Sequence, residues 1–186
     1  MHLDQGSYAE AYQPLRSALE LDIRNALLNY LLGELCYGQG DFQSATNYFS
    51  KAVTYDPDYT DAHIRLGMLH MEHARPQDAI KCFERAIFLD RAAVVARYHL
   101  AQVCVQLDDP RRALTQLHLV KEMHGDYPPV YVLQGEIQCR LGDYRQAIVE
   151  FQKAIELGVG DAAVYWQLGQ AHLGLKAKDK ALRAFL

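Results

Sequence analysis

The chain has 186 residues, of which 50% are hydrophobic and 23% are charged, and this composition excludes an intrinsically disordered or low-complexity protein. Its formal net charge is −4 and no segment is strongly basic, so a surface for nucleic acid is not expected. Uninterrupted apolar stretches, such as residues 92–96, are far shorter than the ~20 residues that cross a bilayer, which argues against membrane insertion.

A 34-residue period runs through the chain. It is carried by a column of alanines: Ala11, Ala45, Ala79, Ala113, Ala147 and Ala181. Large apolar residues follow each alanine by four positions: Leu15, Phe49, Phe83, Leu117, Phe151 and Phe185. Glycines form a third column, in which an alanine takes the place of the missing member: Gly33, Gly67, Ala101, Gly135 and Gly169. Columns that keep one spacing predict a repeat protein.

Each period predicts two helices. Ala45, Phe49 and Ala52 are spaced by four and three residues, which places them on one helical face. An earlier helix carries a similar stripe around Gly33, and the turn signal at residues 40–41 separates the two. A single hairpin cannot bury both of its faces, so stability is expected to come from stacking in an all-α array.

In chain order, residues 1–25 are predicted to hold only a second helix, with Pro14 inside it at a cost of roughly 3 kcal/mol or a kink. Complete units are predicted at four places: 26–59, 60–93, 94–127 and 128–161. Residues 162–186 are predicted to hold a first helix and part of a second. We therefore expect a single array over residues 1–186 that is a fragment of a longer protein.

The period and one set of residues resemble the tetratricopeptide repeat (TPR) family. The set comprises Leu32-Gly33, Gly40-Asp41-Phe42, Ala45, Phe49, Ala52 and Pro57. The chain departs from the family in its terminal proline column, which only Pro57 fills, and in the aromatic that usually opens the first helix. The resemblance implies a right-handed superhelical solenoid of helix-turn-helix repeats. It also implies a concave groove, formed by the first helices, that binds a peptide or helix of a partner protein.

Candidate groove residues lie one position past the packing stripe, about 100° further round each first helix. They are Tyr30, Glu34, Tyr37, Ile64, Met68, Met71, Tyr98, Gln102, Val105, Val132, Glu136, Trp166 and Gln170. Adaptable methionines and rigid aromatics suit the burial of a partner side chain, with Tyr98 as the central anchor. The alternative is that these residues mainly pack against neighbouring hairpins.

The groove lacks the Lys, Asn and Arg of the carboxylate clamp that some family members use for chaperone tails. Arg65, Arg97 and His99 stay available for an acidic residue of a partner.

The sequence offers only weak indications of a metal site or a catalytic site. Three histidines on one predicted helix, His63, His70 and His73, offer a metal hypothesis, but two of them fall on the packing stripe. The four cysteines have no metal-ligand spacing and are predicted to be buried free thiols. No catalytic motif is present, so we expect a protein that is not an enzyme and needs no metal or cofactor.

The sequence favours a scaffold or adaptor that binds another protein. Two alternatives stay open: self-association into a homo-oligomer through the terminal repeats, or a regulatory segment of a larger enzyme or secretion-type assembly. Residues 1–6 lack the basic and apolar regions of a signal peptide, so a cytoplasmic location is expected, with a periplasmic or other location left open.

Overall fold

The computed structural model describes residues 5–185, and these residues form eleven α-helices and no strand. The first helices of the hairpins are α2 (Ala26–Gly38), α4 (Thr60–Glu72), α6 (Val94–Gln106), α8 (Pro128–Arg140) and α10 (Ala162–Gly174). The helices that alternate with them are α1 (Gln5–Leu21), α3 (Phe42–Tyr55), α5 (Pro76–Leu89), α7 (Pro110–Met123), α9 (Tyr144–Glu156) and α11 (Lys178–Phe185). The prediction of an all-α fold built from helix-turn-helix repeats is confirmed.

Helix α1 runs unbroken through Pro14. Proline lacks an N–H and so removes one backbone hydrogen bond from the helix. That loss does not end α1.

The chain divides into two compact units, Met1–Ala96 and Arg97–Leu186, with the boundary in the first turn of α6. In unit 1, α2 packs on α3 and α4 on α5 around a core that includes Phe49 and Leu69. In unit 2, α8 packs on α9 and α10 on α11, and the core between α9 and α10 contains Phe151 and Leu168. The prediction of one array over the whole chain stays a prediction.

Local chemistry fixes where the helices begin. Asn25, Asp41, Asp109, Asp143 and Asp161 each precede a helix, and each side chain accepts a hydrogen bond from the backbone N–H three residues on. An N-cap of this kind satisfies one of the N–H groups that the first turn leaves without a partner. Helices α5, α7 and α8 also carry proline in the first turn, where its missing N–H does no harm.

The small residues allow the two helices of a hairpin to touch. A methyl group added to Gly67 would lie 2.7 Å from the ring of Phe83, and one added to Gly135 would lie 2.6 Å from the ring of Phe151. Real carbon contacts are longer than this, so the phenylalanine ring rests directly on the glycine backbone. This contact holds the first helices, and the side chains they display, at a fixed distance from the second helices.

Candidate functional site

The predicted groove residues of unit 1 lie half-buried on two first helices. Tyr30, Glu34 and Tyr37 are on α2, and Ile64, Met68 and Met71 are on α4. The ring of Tyr30 lies 5.6 Å from that of Phe49 in the core and 5.0 Å from that of Tyr59. Much of the surface of the Tyr30 ring therefore packs against other residues of the chain.

Glu34 forms an ion pair across the two helices. Nη2 of Arg65 donates to Oε2 of Glu34 at 2.7 Å, and Nε of Arg65 lies 2.7 Å from Oε1. Burial raises the pKa of the Glu34 carboxyl, and the guanidinium of Arg65 opposes that rise. The acidic residue that Arg65 meets is thus Glu34 of the same chain, and Arg65 does not stand ready for a partner.

Tyr37 belongs to the same cluster. Its hydroxyl donates to Oε1 of Glu72 at 3.0 Å, and its ring centre lies 5.7 Å from the guanidinium carbon of Arg65. Burial raises the pKa of Tyr37, and the hydrogen bond to Glu72 raises it further. Carboxylates, a guanidinium and an aromatic ring close this part of the face by contacts within unit 1.

In unit 2, Tyr98, Gln102 and Val105 lie half-buried on α6. Tyr98 packs edge-on against Tyr127 at 5.7 Å, and its hydroxyl accepts a hydrogen bond from Nε2 of Gln102 at 3.3 Å. Nδ1 of His99 lies 2.8 Å from the amide oxygen of Gln102. The ring contact with Tyr127 and the hydrogen bond from Gln102 hold Tyr98 in place within unit 2. Burial also raises the pKa of Tyr98.

Arg97, which the sequence left available for an acidic partner residue, donates from Nη1 to Oε1 of Gln116 at 3.0 Å. Arg65, Arg97 and His99 are therefore all engaged within the chain.

An open pocket of about 440 Å³ lies between α8 and α10. Its lining comprises Glu136, Cys139, Arg140, Phe151, Trp166, Gln167 and Gln170. Three predicted groove residues, Glu136, Trp166 and Gln170, are thus brought together at one place. Trp166 is 58% exposed, whereas Val132 on the same face packs against the core between α9 and α10.

Gln167 is a pocket residue that the sequence analysis missed. Its Nε2 donates to Oε1 of Glu136 at 2.7 Å, which links the two walls of the pocket. Arg140 was missed as well, and like Gln167 it lies one position past the predicted stripe. Helical side chains of this length reach sideways, so neighbouring columns contribute to the same pocket.

The histidines of α4 and its C-cap are tied to the backbone. Nε2 of His63 lies 3.0 Å from the carbonyl oxygen of Pro57, and Nδ1 of His73 lies 2.8 Å from that of Leu69. Burial lowers the pKa of His70, which favours its neutral form. Within residues 5–185, no three side chains of His, Cys, Asp or Glu come together as a possible metal site.

The cysteines are free thiols, as predicted, but only two are fully buried. Cys36 and Cys104 are buried, whereas Cys82 and Cys139 are partly exposed because they lie at the edges of the packing stripes. Burial raises the pKa of Cys82 to about 11, which keeps it far from a reactive thiolate. Among the helices that the structure describes, none is long and apolar enough to cross a membrane.

The chain is similar to known proteins along most of its length. Family models described as tetratricopeptide repeat match residues 37–93 in one case and residues 1–60 and 132–186 in another. The human protein O-mannosyl-transferase TMTC3 is 27% identical over 188 residues, which cover 92% of this chain and 20% of that protein. A DnaJ homolog subfamily C member 7 homolog from Dictyostelium discoideum is 23% identical over 201 residues, which cover 95% of this chain and 35% of that protein. The chain therefore spans about a fifth to a third of the length of these relatives.

Solved structures show the same fold. PilF of Pseudomonas aeruginosa superposes with a TM-score of 0.85 at 19% identity, over 98% of this chain and 83% of that one. YrrB, described as a TPR protein with an unusual peptide-binding site, superposes with a TM-score of 0.77 at 21% identity, over 94% and 90% of the two chains.

Proposed function

Because the chain belongs to the tetratricopeptide repeat family, we propose that it is a non-enzymatic interaction module that holds a short segment of a partner protein against its first helices. The family and its peptide-binding member support a role in protein interaction. The observation that carries this proposal is the pocket between α8 and α10, where a largely exposed Trp166 lies beside Glu136 and Gln170.

Trp166 in this pocket is a better candidate anchor than the other predicted aromatic residues, Tyr30 and Tyr98. Exposed tryptophans are costly to leave in water and are enriched among residues that dominate binding energy. Tyr30 and Tyr98 already pack against Tyr59 and Tyr127, so truncating them would disturb the chain itself. Trp166 is the anchor we expect a partner segment to cover, in place of Tyr98.

The test uses a segment selected from a random dodecapeptide library against the intact chain and measured by fluorescence anisotropy. Trp166→Ala is expected to weaken binding at least tenfold, because a buried aromatic anchor is worth about 2 kcal/mol or more. Val149→Ala is the matched control, since Val149 is 53% exposed on the second helix α9 of the same unit. Equal weakening by both variants, or by neither, contradicts the proposal.

Self-association is a second candidate, favoured by one exposed residue. Leu182 on α11 is 59% exposed, whereas Ile80, three periods earlier, is 8% exposed. A second copy stacked on this face would cover Leu182. Sedimentation of the wild type is then expected to show a concentration-dependent dimer that Leu182→Lys weakens, and a monomer at all concentrations contradicts this candidate.

The relative named as a transferase is five times as long as the matched region, which covers 20% of it. The alternative that these repeats serve as a regulatory part of a larger enzyme or assembly stays a prediction.

A further inference from the structure

The repeat makes two pairs of residues equivalent. Glu34 on α2 and Glu136 on α8 are separated by three repeat periods, and so are Arg65 on α4 and Gln167 on α10. Glu34 and Glu136 are the carboxylates that face the next first helix. Arg65 and Gln167 lie on that next helix and reach back to the carboxylate. Unit 1 and unit 2 thus share the carboxylate, whereas Gln167 replaces Arg65, Cys139 replaces Tyr37 and Trp166 replaces Ile64.

In unit 1 the site is filled from within. Nη2 of Arg65 donates to Oε2 of Glu34 at 2.7 Å, and Nε of Arg65 lies 2.7 Å from Oε1. The guanidinium carbon lies 5.7 Å from the centre of the Tyr37 ring. A planar guanidinium can in this way meet a carboxylate at its edge and an aromatic ring at its face.

In unit 2 the charge is missing. The neutral amide of Gln167 donates a single hydrogen bond to Oε1 of Glu136. Within the described residues, the Glu136 carboxylate forms no ion pair. The side chain of glutamine is shorter than that of arginine, and the pocket of about 440 Å³ opens beside it, with Trp166 on its wall.

We propose that the pocket between α8 and α10 binds an arginine side chain of the partner segment, whose guanidinium takes the place beside Glu136 that Arg65 takes beside Glu34. The proposal rests on the proposed function and names the side chain that the segment must carry. The guanidinium would donate to the Glu136 carboxylate and lie against the Trp166 indole. Lysine, a compact and strongly hydrated point charge, fits this arrangement less well.

Arg140 is the cation among the residues that line the pocket. The hydrogen bond from Gln167 places Glu136 near Trp166, because Gln167 follows Trp166 directly on α10. Arg140 comes four residues after Glu136, about 6 Å further along α8 and on the same helical face. The two side chains form no ion pair within the part of the chain that the structure describes, so the incoming guanidinium is expected at the Trp166 end.

Trp166 is the only tryptophan of the chain, so its fluorescence reports on this pocket alone. The probe is the pentapeptide Gly-Ala-Arg-Ala-Gly, acetylated and amidated, beside versions with lysine or citrulline at the central position. The arginine peptide is expected to change the fluorescence with saturation, about tenfold more tightly than the citrulline peptide, because citrulline keeps the shape and loses the charge. Equal binding of the arginine and citrulline peptides overturns the inference.

Two variants test the site itself. Gln167→Arg recreates the ion pair of unit 1 inside unit 2, and it is expected to weaken the arginine peptide about tenfold while leaving the helical circular dichroism unchanged. Glu136→Gln is expected to remove the preference for arginine over citrulline. Val149→Ala again serves as control and is expected to change neither property. An unchanged preference in Glu136→Gln overturns the inference even if Gln167→Arg fails to fold.

Failure of the inference and failure of the proposed function are distinguishable. If Trp166→Ala weakens the library-selected segment but arginine and citrulline bind equally, the pocket binds a partner by another chemistry. If neither the segment nor the peptides depend on Trp166, both proposals are wrong.

Discussion

One residue in every repeat adopts the left-handed backbone conformation, in the turn that joins the two helices of a hairpin. The positions recur once per repeat period, with glycine at two and other residues at three: Gly40 (φ 79°), Ala74 (54°), Asp108 (57°), Gly142 (79°) and Lys176 (59°). The turn demands this conformation whatever residue stands there. For a residue with a Cβ it costs about 1–2 kcal/mol.

Ala74→Gly is expected to raise the free energy of unfolding by about 0.5–1 kcal/mol, the relief of that strain less the greater backbone entropy of glycine. Gly40→Ala is the mirror control and should lower it by about 1 kcal/mol, because a Cβ at Gly40 meets no atom within 4 Å and only the backbone is strained. Urea unfolding followed by circular dichroism measures both. A destabilised Ala74→Gly variant would show that the turn is not strained.

The columns of the repeat do not distinguish the exposed Trp166 from the packed Tyr98. Tyr98 and Trp166 occupy the same column, so the column itself offers no reason to separate a packed ring from an exposed one. The difference lies in a neighbour: Tyr59 and Tyr127 each follow a groove tyrosine at the same offset, and they cover Tyr30 and Tyr98. That recurring tyrosine pair is present in the sequence and distinguishes the packed rings of Tyr30 and Tyr98 from Trp166.

At the scale of the helices, the small and large columns act together. The hairpin of α6 and α7 has Ala101 in place of glycine and Leu117 in place of phenylalanine, and both are fully buried. The smaller leucine leaves room for the extra methyl group that a phenylalanine ring would strike. The two substitutions compensate each other within one hairpin.

We expect Gly67→Ala to lower the free energy of unfolding by about 1–3 kcal/mol, because its new methyl group overlaps the Phe83 ring. Phe83→Leu alone should also destabilise, through the volume it removes. The double variant should be more stable than the sum of the two by about 1 kcal/mol or more. Strict additivity in this double-mutant cycle would contradict the compensation seen at Ala101 and Leu117.

The helices themselves were predictable because their packing depends on columns that the chain repeats. All first helices begin one repeat period apart, and so do the second helices from α3 onward. The ion pair of Arg65 with Glu34 was not predictable in this way. It depends on the rotation of two helices about their axes and on long side chains that leave their own stripe.

At the scale of the whole molecule, the division into two compact units bears on how the chain unfolds. In repeat proteins each repeat is stabilised mainly by the interfaces with its nearest neighbours. A destabilising change in one unit therefore need not destabilise the other. Trp166 lies in unit 2 and circular dichroism averages over both units.

Gly67→Ala is therefore expected to shift the unfolding midpoint by circular dichroism while leaving that of Trp166 fluorescence nearly unchanged. Gly135→Ala, the equivalent change in unit 2, should shift the Trp166 midpoint. Coincident shifts of both signals in both variants would show that the chain unfolds as one cooperative body.

The contact of the phenylalanine ring with glycine also bears on how such chains change by recombination. Both partners lie within one hairpin, so an exchange joined between hairpins keeps every pair intact. A crossover in the turn after Ala101 could place a phenylalanine over the Ala101 methyl group. A crossover in the turn after Gly67 could place a leucine over bare backbone. The heritable module is thus the hairpin that starts at a first helix, and crossovers inside it should be rejected by steric overlap or by an unfilled hole.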